Sequence, residues 1–167
     1  MKIKDLLENV QDVELTPEQE KQIKEYLGIK ETKRWKPKSS ENYWYIMNCG
    51  NITVTHWSDY CDLDAELFAM NNCFKTKEEA EFAIEKYKVY LELKNFADEN
   101  NDPIKWCKSN VKNYYIYLSH NNNTLHVEYS WICQDIGQIY FSSEDLAKQA
   151  IAKVGEDRIK KYLFGME

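Results

Sequence analysis

The chain has 167 residues, about the length of one domain, and a chain of this length can bury roughly 70% of the surface that its unfolded form exposes. Its 22 basic and 28 acidic residues give a net charge of −6, and a hydrophobic content of 43% excludes a disordered chain. Only five glycines and three prolines occur, which argues against glycine-rich phosphate loops and collagen-like repeats.

The sequence predicts a cytoplasmic protein with no membrane segment. No stretch approaches the roughly 18 uncharged apolar residues of a membrane span, and residues 1–10 are charged and helix-like, unlike a signal peptide. The five cysteines show no paired spacing, which favours reduced thiols.

Residues 1–30 are predicted to form a helical hairpin. Apolar residues recur at helical spacing near the start of the chain, and Thr16-Pro17-Glu18-Gln19 is a capping box that opens a second helix ending at Gly28. Residues 31–40 form a basic linker with a local charge of +3, in which five residues could contact single-stranded nucleic acid: Lys33, Arg34, Trp35, Lys36 and Lys38. The alternative is a solvated linker whose tryptophan packs on the core.

The rest of the chain contains an internal duplication. The segment from Phe74 to Lys86 aligns with the segment from Phe141 to Lys153 at a constant offset, and residues 42–46 align with residues 113–117 upstream. Each copy is predicted to contain two strands, a third short strand and a helix. We therefore predict an α+β fold in which two βββα repeats, residues 41–97 and 112–167, pack together and are joined by the connecting segment 98–111. Each repeat would hold a three-stranded antiparallel sheet.

The helix of the first repeat is predicted to begin with the capping box Thr76-x-x-Glu79 and has two apolar stripes. One comprises Ala80, Ala83, Ile84, Tyr87 and Leu91, and the other comprises Phe82, Val89, Leu93 and Phe96. A helix that is apolar on two faces has to be covered on both, so we expect it to be the central element of the core. In the second repeat, the helix is expected to end at Gly155, and a short terminal helix follows it.

No catalytic or metal-binding motif is present. The three histidines lack zinc-ligand spacing, no serine lies in a nucleophile elbow, and no glycine occurs between Gly50 and Gly137 to form a calcium loop. The sequence therefore predicts a non-enzymatic protein without metal or cofactor. The long loop between the second and third strands of the first repeat is expected to present an exposed acidic surface: Asp59, Asp62, Asp64 and Glu66.

Aromatic residues make up 14% of the chain, and consecutive aromatics along a strand place rings on both faces of a sheet. One face would lie under a helix. The other would either be open, with Trp44 and Tyr115 available to a partner, or be covered by the N-terminal hairpin and the terminal helix.

The helix that begins with Phe74, Thr76, Glu79, Ala80 and Ala83 resembles the three-strand-plus-helix DNA-binding domain of ethylene-response factors and the arm-binding domain of tyrosine recombinases. That resemblance implies a sheet that lies in the major groove. However, residues 41–96 carry five lysines against ten carboxylates, and this net charge of −5 argues against duplex DNA as a direct ligand.

Over nearly the whole chain the sequence resembles small uncharacterised accessory proteins of Firmicute phages and prophages. The residues that carry this resemblance are Trp35-x-Pro37, Glu41-x-Tyr43-Trp44-Tyr45-Ile46, the segment from Phe74 to Glu81, Glu92-Leu-Lys94 and the segment from Gly155 to Tyr162. The resemblance implies a phage accessory protein in the bacterial cytoplasm, and such proteins include inhibitors of host defence.

Our leading hypothesis is an inhibitor of a host nucleic-acid-handling machine, such as a CRISPR nuclease, whose basic surface attracts the acidic loop. The alternative is a nucleic-acid-binding accessory protein that uses the basic linker and exposed sheet aromatics. The sequence specifies neither the partner nor the oligomeric state.

Overall fold

A computed structural model describes residues 16–26, 34–108 and 111–166. The chain divides into two compact units, Met1–Lys36 and Pro37–Glu167. In the first unit, helix α1 spans Pro17–Tyr26 and begins with the predicted capping box, in which the Gln19 N–H donates to the Thr16 hydroxyl and the Thr16 N–H donates to the Gln19 side chain. The predicted first helix of the hairpin, Gly28 and Lys33 lie outside the described residues.

The second unit is a mixed α+β fold with two small antiparallel sheets. The first sheet pairs β1, Asn42–Ile46, with β2, Ile52–His56, so that Trp44 lies opposite Val54. Phe74 pairs with Trp44 on the other side of β1, but only as an isolated bridge. The prediction of a three-stranded sheet in the first repeat is therefore wrong, because the segment after residue 70 contributes a single bridge and not a strand.

Helix α2, Asp62–Ala69, occupies the segment that we expected to be a loop. No side chain caps its N-terminus, so no capping motif in the sequence marks where this helix begins. Its inner face buries Leu67 and packs Phe68 edge-on against Trp57, with the ring centroids 6.0 Å apart. The helix forms because this apolar edge covers the side of the first sheet that carries Tyr43.

The central helix α3 spans Lys77–Asn100 and joins the two sheets. Thr76 caps it by accepting a hydrogen bond from the Glu79 N–H, as the sequence predicted. Its first half packs against β1 and β2, whereas Val89, Leu93 and Phe96 enter the main hydrophobic core. Phe82, which we assigned to the second stripe, is 39% exposed and packs against the Tyr162 ring, so its assignment to the core is wrong.

The second sheet has the order β4-β3-β5, formed by β3, Asn113–Ser119, β4, Thr124–Ser130, and β5, Tyr140–Phe141. Two helices follow it, α4 over Glu144–Val154 and α5 over Glu156–Phe164. They separate at Gly155, which has a φ of +99° and ends α4 as predicted.

The core lies between α3, α4, α5 and the second sheet, and its fully buried members include Phe141, Ala150 and Ile159. The Arg158 guanidinium ties α5 to α3 by donating to both carboxylate oxygens of Glu92, at 2.8 and 2.9 Å. Among the described residues no helix is long and apolar enough to cross a membrane.

Candidate partner-binding site

The outward side of α2 and the turn before it form an exposed surface that is both apolar and acidic. We call it the acidic face, and its members are Asp59, Tyr60, Asp62, Leu63, Glu66 and Met70. Tyr60 is 99% exposed, Met70 67% and Leu63 55%. Leu63 and Glu66 of α2 and Met70, the residue that ends the helix, follow one another at helical spacing and form one stripe.

The charge of this surface is of one sign. Residues 57–74 contain four carboxylates and no lysine, arginine or histidine. Asp62 lies in the first turn of α2, where the positive end of the helix dipole stabilises a carboxylate. Because exposed charges within a Debye length of about 8 Å act together at physiological salt, neighbouring carboxylates on so short a helix give one local negative field.

Asp64, the fourth predicted carboxylate, is not part of this surface. It is 5% exposed, and its two oxygens accept hydrogen bonds from the Tyr43 hydroxyl and the Ser58 N–H, each at 2.7 Å. Burial, and then the bond to Asp64, raise the pKa of Tyr43 well above its ordinary value of 10. Asp64 therefore joins α2 to β1, and the prediction that it is exposed is wrong because it lies on the inner face of a helix.

Asp59 has both an exposed and a structural role. Its carboxylate accepts a hydrogen bond from the Trp57 indole N–H at 2.8 Å, which fixes the turn that leads into α2. The indole N–H bonds to one of the two carboxylate oxygens. Because Asp59 is exposed, its other oxygen can accept a hydrogen bond from a partner.

The two predicted partner-binding aromatics are half-buried and lie in different sheets. Trp44 is on β1, where its backbone pairs with Phe74. Tyr115 is on β3 and packs against Tyr140 of β5, with ring centroids 5.9 Å apart. Both side chains are partly exposed, and the Tyr140 ring contacts Tyr115, so neither aromatic is fully open to a partner.

The basic linker ends in an ordered turn. Lys38 donates its N–H to the Glu41 carboxylate at 2.7 Å, and the Ser40 N–H donates to the Trp57 carbonyl at 2.9 Å. Arg34, Lys36 and Lys38 are exposed, and Trp35 is half-buried.

A second exposed apolar segment was missed from the sequence. The loop after β4 exposes Trp131 at 43%, Ile132 at 66% and Ile136 completely. It borders an open cleft of about 570 Å³ whose lining includes Trp106 and Tyr140. The available signal was the placement of these apolar residues beside Asp135 and Gly137, in a segment without strand or helix periodicity.

Within the described ranges, no group of three or more histidine, cysteine, aspartate or glutamate side chains is arranged to hold a metal ion. Comparison of the chain with protein-family models, with curated proteins and with solved structures gave no match.

Proposed function

We propose that this chain is a non-enzymatic binding protein whose acidic face docks on the basic surface of a protein partner. The observation that carries the proposal is the outer stripe of α2, where Leu63 and Met70 are more than half exposed beside Asp62 and Glu66. Interfaces combine buried apolar anchors with charges at the rim, and this stripe supplies both.

The two kinds of side chain would act at different stages of binding. The carboxylates attract a basic partner at long range and raise the association rate, an effect that weakens as salt rises. Tyr60, Leu63 and Met70 would then lose water against the partner and slow dissociation. A surface that binds phosphates is basic, and its charge is therefore complementary to that of the acidic face.

The partner class that we propose is a host machine that handles nucleic acid, such as a CRISPR nuclease, with this chain acting as a phage accessory protein in the bacterial cytoplasm. The support is the acidic face itself, together with the resemblance to Firmicute phage proteins carried by Glu41-x-Tyr43-Trp44-Tyr45-Ile46 and the segment from Phe74 to Glu81. Carboxylates in a basic groove would compete with the phosphates that the groove normally binds.

The test is an inhibition assay with purified CRISPR nucleases of several types. A triple variant, Asp59→Asn, Asp62→Asn and Glu66→Gln, removes the exposed carboxylates of the acidic face. We expect the wild type to inhibit cleavage by at least one nuclease and the triple variant to inhibit it at least tenfold less, mainly through slower association.

The matched control removes the same charge elsewhere. Glu99→Gln, Asp145→Asn and Asp157→Asn neutralise three exposed carboxylates on α3, α4 and α5, and should leave inhibition unchanged. Equal loss in both triple variants would show that only net charge matters and would refute the acidic face as the site. Inhibition of none of the nucleases would refute the proposed partner class.

Direct nucleic-acid binding is the competing function, through the exposed cations beside Trp35. Fluorescence anisotropy with labelled duplex and single-stranded oligonucleotides measures it. Tight binding that weakens steeply with salt, and that is lost on Trp35→Ala, would move the assignment to a nucleic-acid-binding accessory protein.

We also propose that the second unit arose by duplication of a βββα repeat. In support, each half has a hairpin followed by a segment that pairs with the hairpin's first strand, at Phe74 in one half and at Phe141 in the other. A helix capped by Thr76 or Ser143 follows at once in each half. The pairing sets Trp44 equivalent to Tyr114, one position away from the sequence alignment.

A further inference from the structure

The outer edge of β2 presents a row of backbone groups directed away from its own sheet. The Trp57 N–H donates to the Glu41 carbonyl and the Met47 N–H donates to the Asn51 carbonyl. These bonds at the two ends of the hairpin show which of its residue pairs are hydrogen-bonded to each other. Because hydrogen-bonded and non-bonded pairs alternate in an antiparallel ladder, the N–H and C=O groups of Ile52, Val54 and His56 point outward. No described residue bonds to these groups.

The opposite edge of the same sheet is closed. Phe74 exchanges two backbone hydrogen bonds with Trp44, at 2.8 and 2.9 Å. The Asn72 side chain does the same for Ile46, accepting from its N–H and donating to its carbonyl, both at 2.8 Å. These contacts occupy two of the three outward positions of β1, those of Trp44 and Ile46.

The edges of the second sheet also have backbone groups that are already hydrogen-bonded. On β5, the Asn101 amide donates to the Tyr140 carbonyl and accepts from the Ser142 N–H, each at 2.8 Å. At the β4 edge, the Tyr129 N–H donates to the Glu128 carboxylate at 3.2 Å, and just beyond the strand the Trp131 carbonyl accepts from the Cys107 N–H at 2.9 Å. Each of these edges has bonded outward groups and β4 also carries the charged Glu128, whereas no described residue bonds to the outward groups of Ile52, Val54 and His56 on β2.

The sequence of β2 also lacks the devices that normally prevent edge pairing. The strand reads Ile-Thr-Val-Thr-His, with no proline, no lysine and no acidic residue. Val54 at its centre is 47% exposed. An uncharged edge with an exposed β-branched residue is suited to accept another strand.

We propose that β2 pairs antiparallel with β2 of a second copy of this chain, about a two-fold axis at Val54, and so joins two hairpins into one four-stranded sheet. The pattern of the strand is symmetric about Val54, with threonine on either side. In this register Val54 lies opposite the partner's Val54 and Ile52 lies opposite the partner's His56, and each of these pairs exchanges two backbone hydrogen bonds.

The side chains match in the same register. Thr53 lies opposite the partner's Thr55 on the other face, and threonine pairs across strands are favourable. No like charges meet at the join, although each copy carries a net charge of −6. Because five-residue strands bury little area, the dimer should be weak and depend on protein concentration.

The test is sedimentation velocity over a range of protein concentrations. The wild type should shift from monomer to dimer as concentration rises. Val54→Lys and Val54→Glu place like charges opposite each other at the axis, so each variant alone should remain monomeric where the wild type dimerises. An equimolar mixture of the two should dimerise again, because lysine then faces glutamate.

Leu63→Lys is the matched control, since Leu63 has similar exposure but lies on the acidic face. It should dimerise as the wild type does, and far-ultraviolet circular dichroism should give the same spectrum for all variants. A wild type that stays monomeric at every concentration, a Val54→Lys variant that still dimerises, or a mixture that stays monomeric would each overturn the proposal.

Discussion

Removal of the Tyr43 hydroxyl should destabilise the second unit by about 2 kcal/mol. Tyr43 is fully buried and donates to the Asp64 carboxylate at 2.7 Å, and a hydrogen bond to a charged group contributes about 1.5–3 kcal/mol. Asp64→Ala should cost more, about 3–5 kcal/mol, because it leaves both the Tyr43 hydroxyl and the Ser58 N–H without an acceptor in a buried site.

The two changes should not add. In the double variant Tyr43→Phe and Asp64→Ala, no hydroxyl is left unpaired, so the loss should fall short of the sum by about 1–2 kcal/mol. Urea unfolding followed by tryptophan fluorescence measures all of these, since Trp57 lies 6.1 Å from the Tyr43 ring. Asp62→Asn is the exposed control and should change stability by less than about 0.5 kcal/mol.

The same pair predicts a loss of stability in alkali. Burial and the bond to Asp64 raise the pKa of Tyr43 in the folded state above its ordinary value of 10. The stabilisation that the protonated hydroxyl gives the folded state is therefore complete below pH 10 and is lost as pH rises. Above pH 10 the free energy of unfolding should fall by about 1.4 kcal/mol for each pH unit. The difference between wild type and Tyr43→Phe should therefore narrow from pH 9 to 11. Additive single changes, or a constant difference across this pH range, would refute the buried hydrogen bond.

Two further predictions concern α3 and its partner helix. Leu93→Ala should cost about 2–5 kcal/mol and Phe82→Ala less than about 1.5 kcal/mol, because Leu93 is 3% exposed and Phe82 39%, and equal urea midpoints would contradict this. Arg158→Lys should cost about 0.5–1 kcal/mol at pH 7, as expected for a half-exposed bidentate pair. The Arg158 hydrogen bond lowers the pKa of Glu92 below its ordinary value of 4.5, so the cost should be complete above pH 4.5 and should decrease as pH falls through the lowered pKa. Thermal unfolding over a series of pH values measures it.

Local signals in the sequence were sufficient for most elements of the second unit. The hairpins, the cap at Thr76, the break at Gly155 and the terminal helix depend on contacts between near neighbours, such as the Glu79 N–H with the Thr76 hydroxyl. Such contacts form wherever the residues occur in that spacing, so a pattern of a few residues predicts them.

The acidic segment shows where this reasoning fails. Four carboxylates within eight positions are typical of an exposed loop, yet Asp64 is buried. The segment is a helix, and residues two positions apart on a helix lie on nearly opposite sides, so Asp64 faces away from Asp62 and Glu66. The helix depends on Tyr43, 21 positions earlier, which supplies the hydroxyl that a buried carboxylate requires. The assignment of Phe82 to the core was wrong for a related reason, because the position of α5 decides which side of α3 is covered.

The sequence by itself determined the α+β class, the β-hairpins and the caps at Thr16 and Thr76, because those features arise from periodicity and from hydrogen bonds within one turn. The tertiary structure alone decided which carboxylates of the acidic segment reach solvent, and which strand edges are closed by Asn72 and Asn101. Those outcomes depend on partners distant in the chain, and the free energy of burying a polar group is known only once its partner is in place.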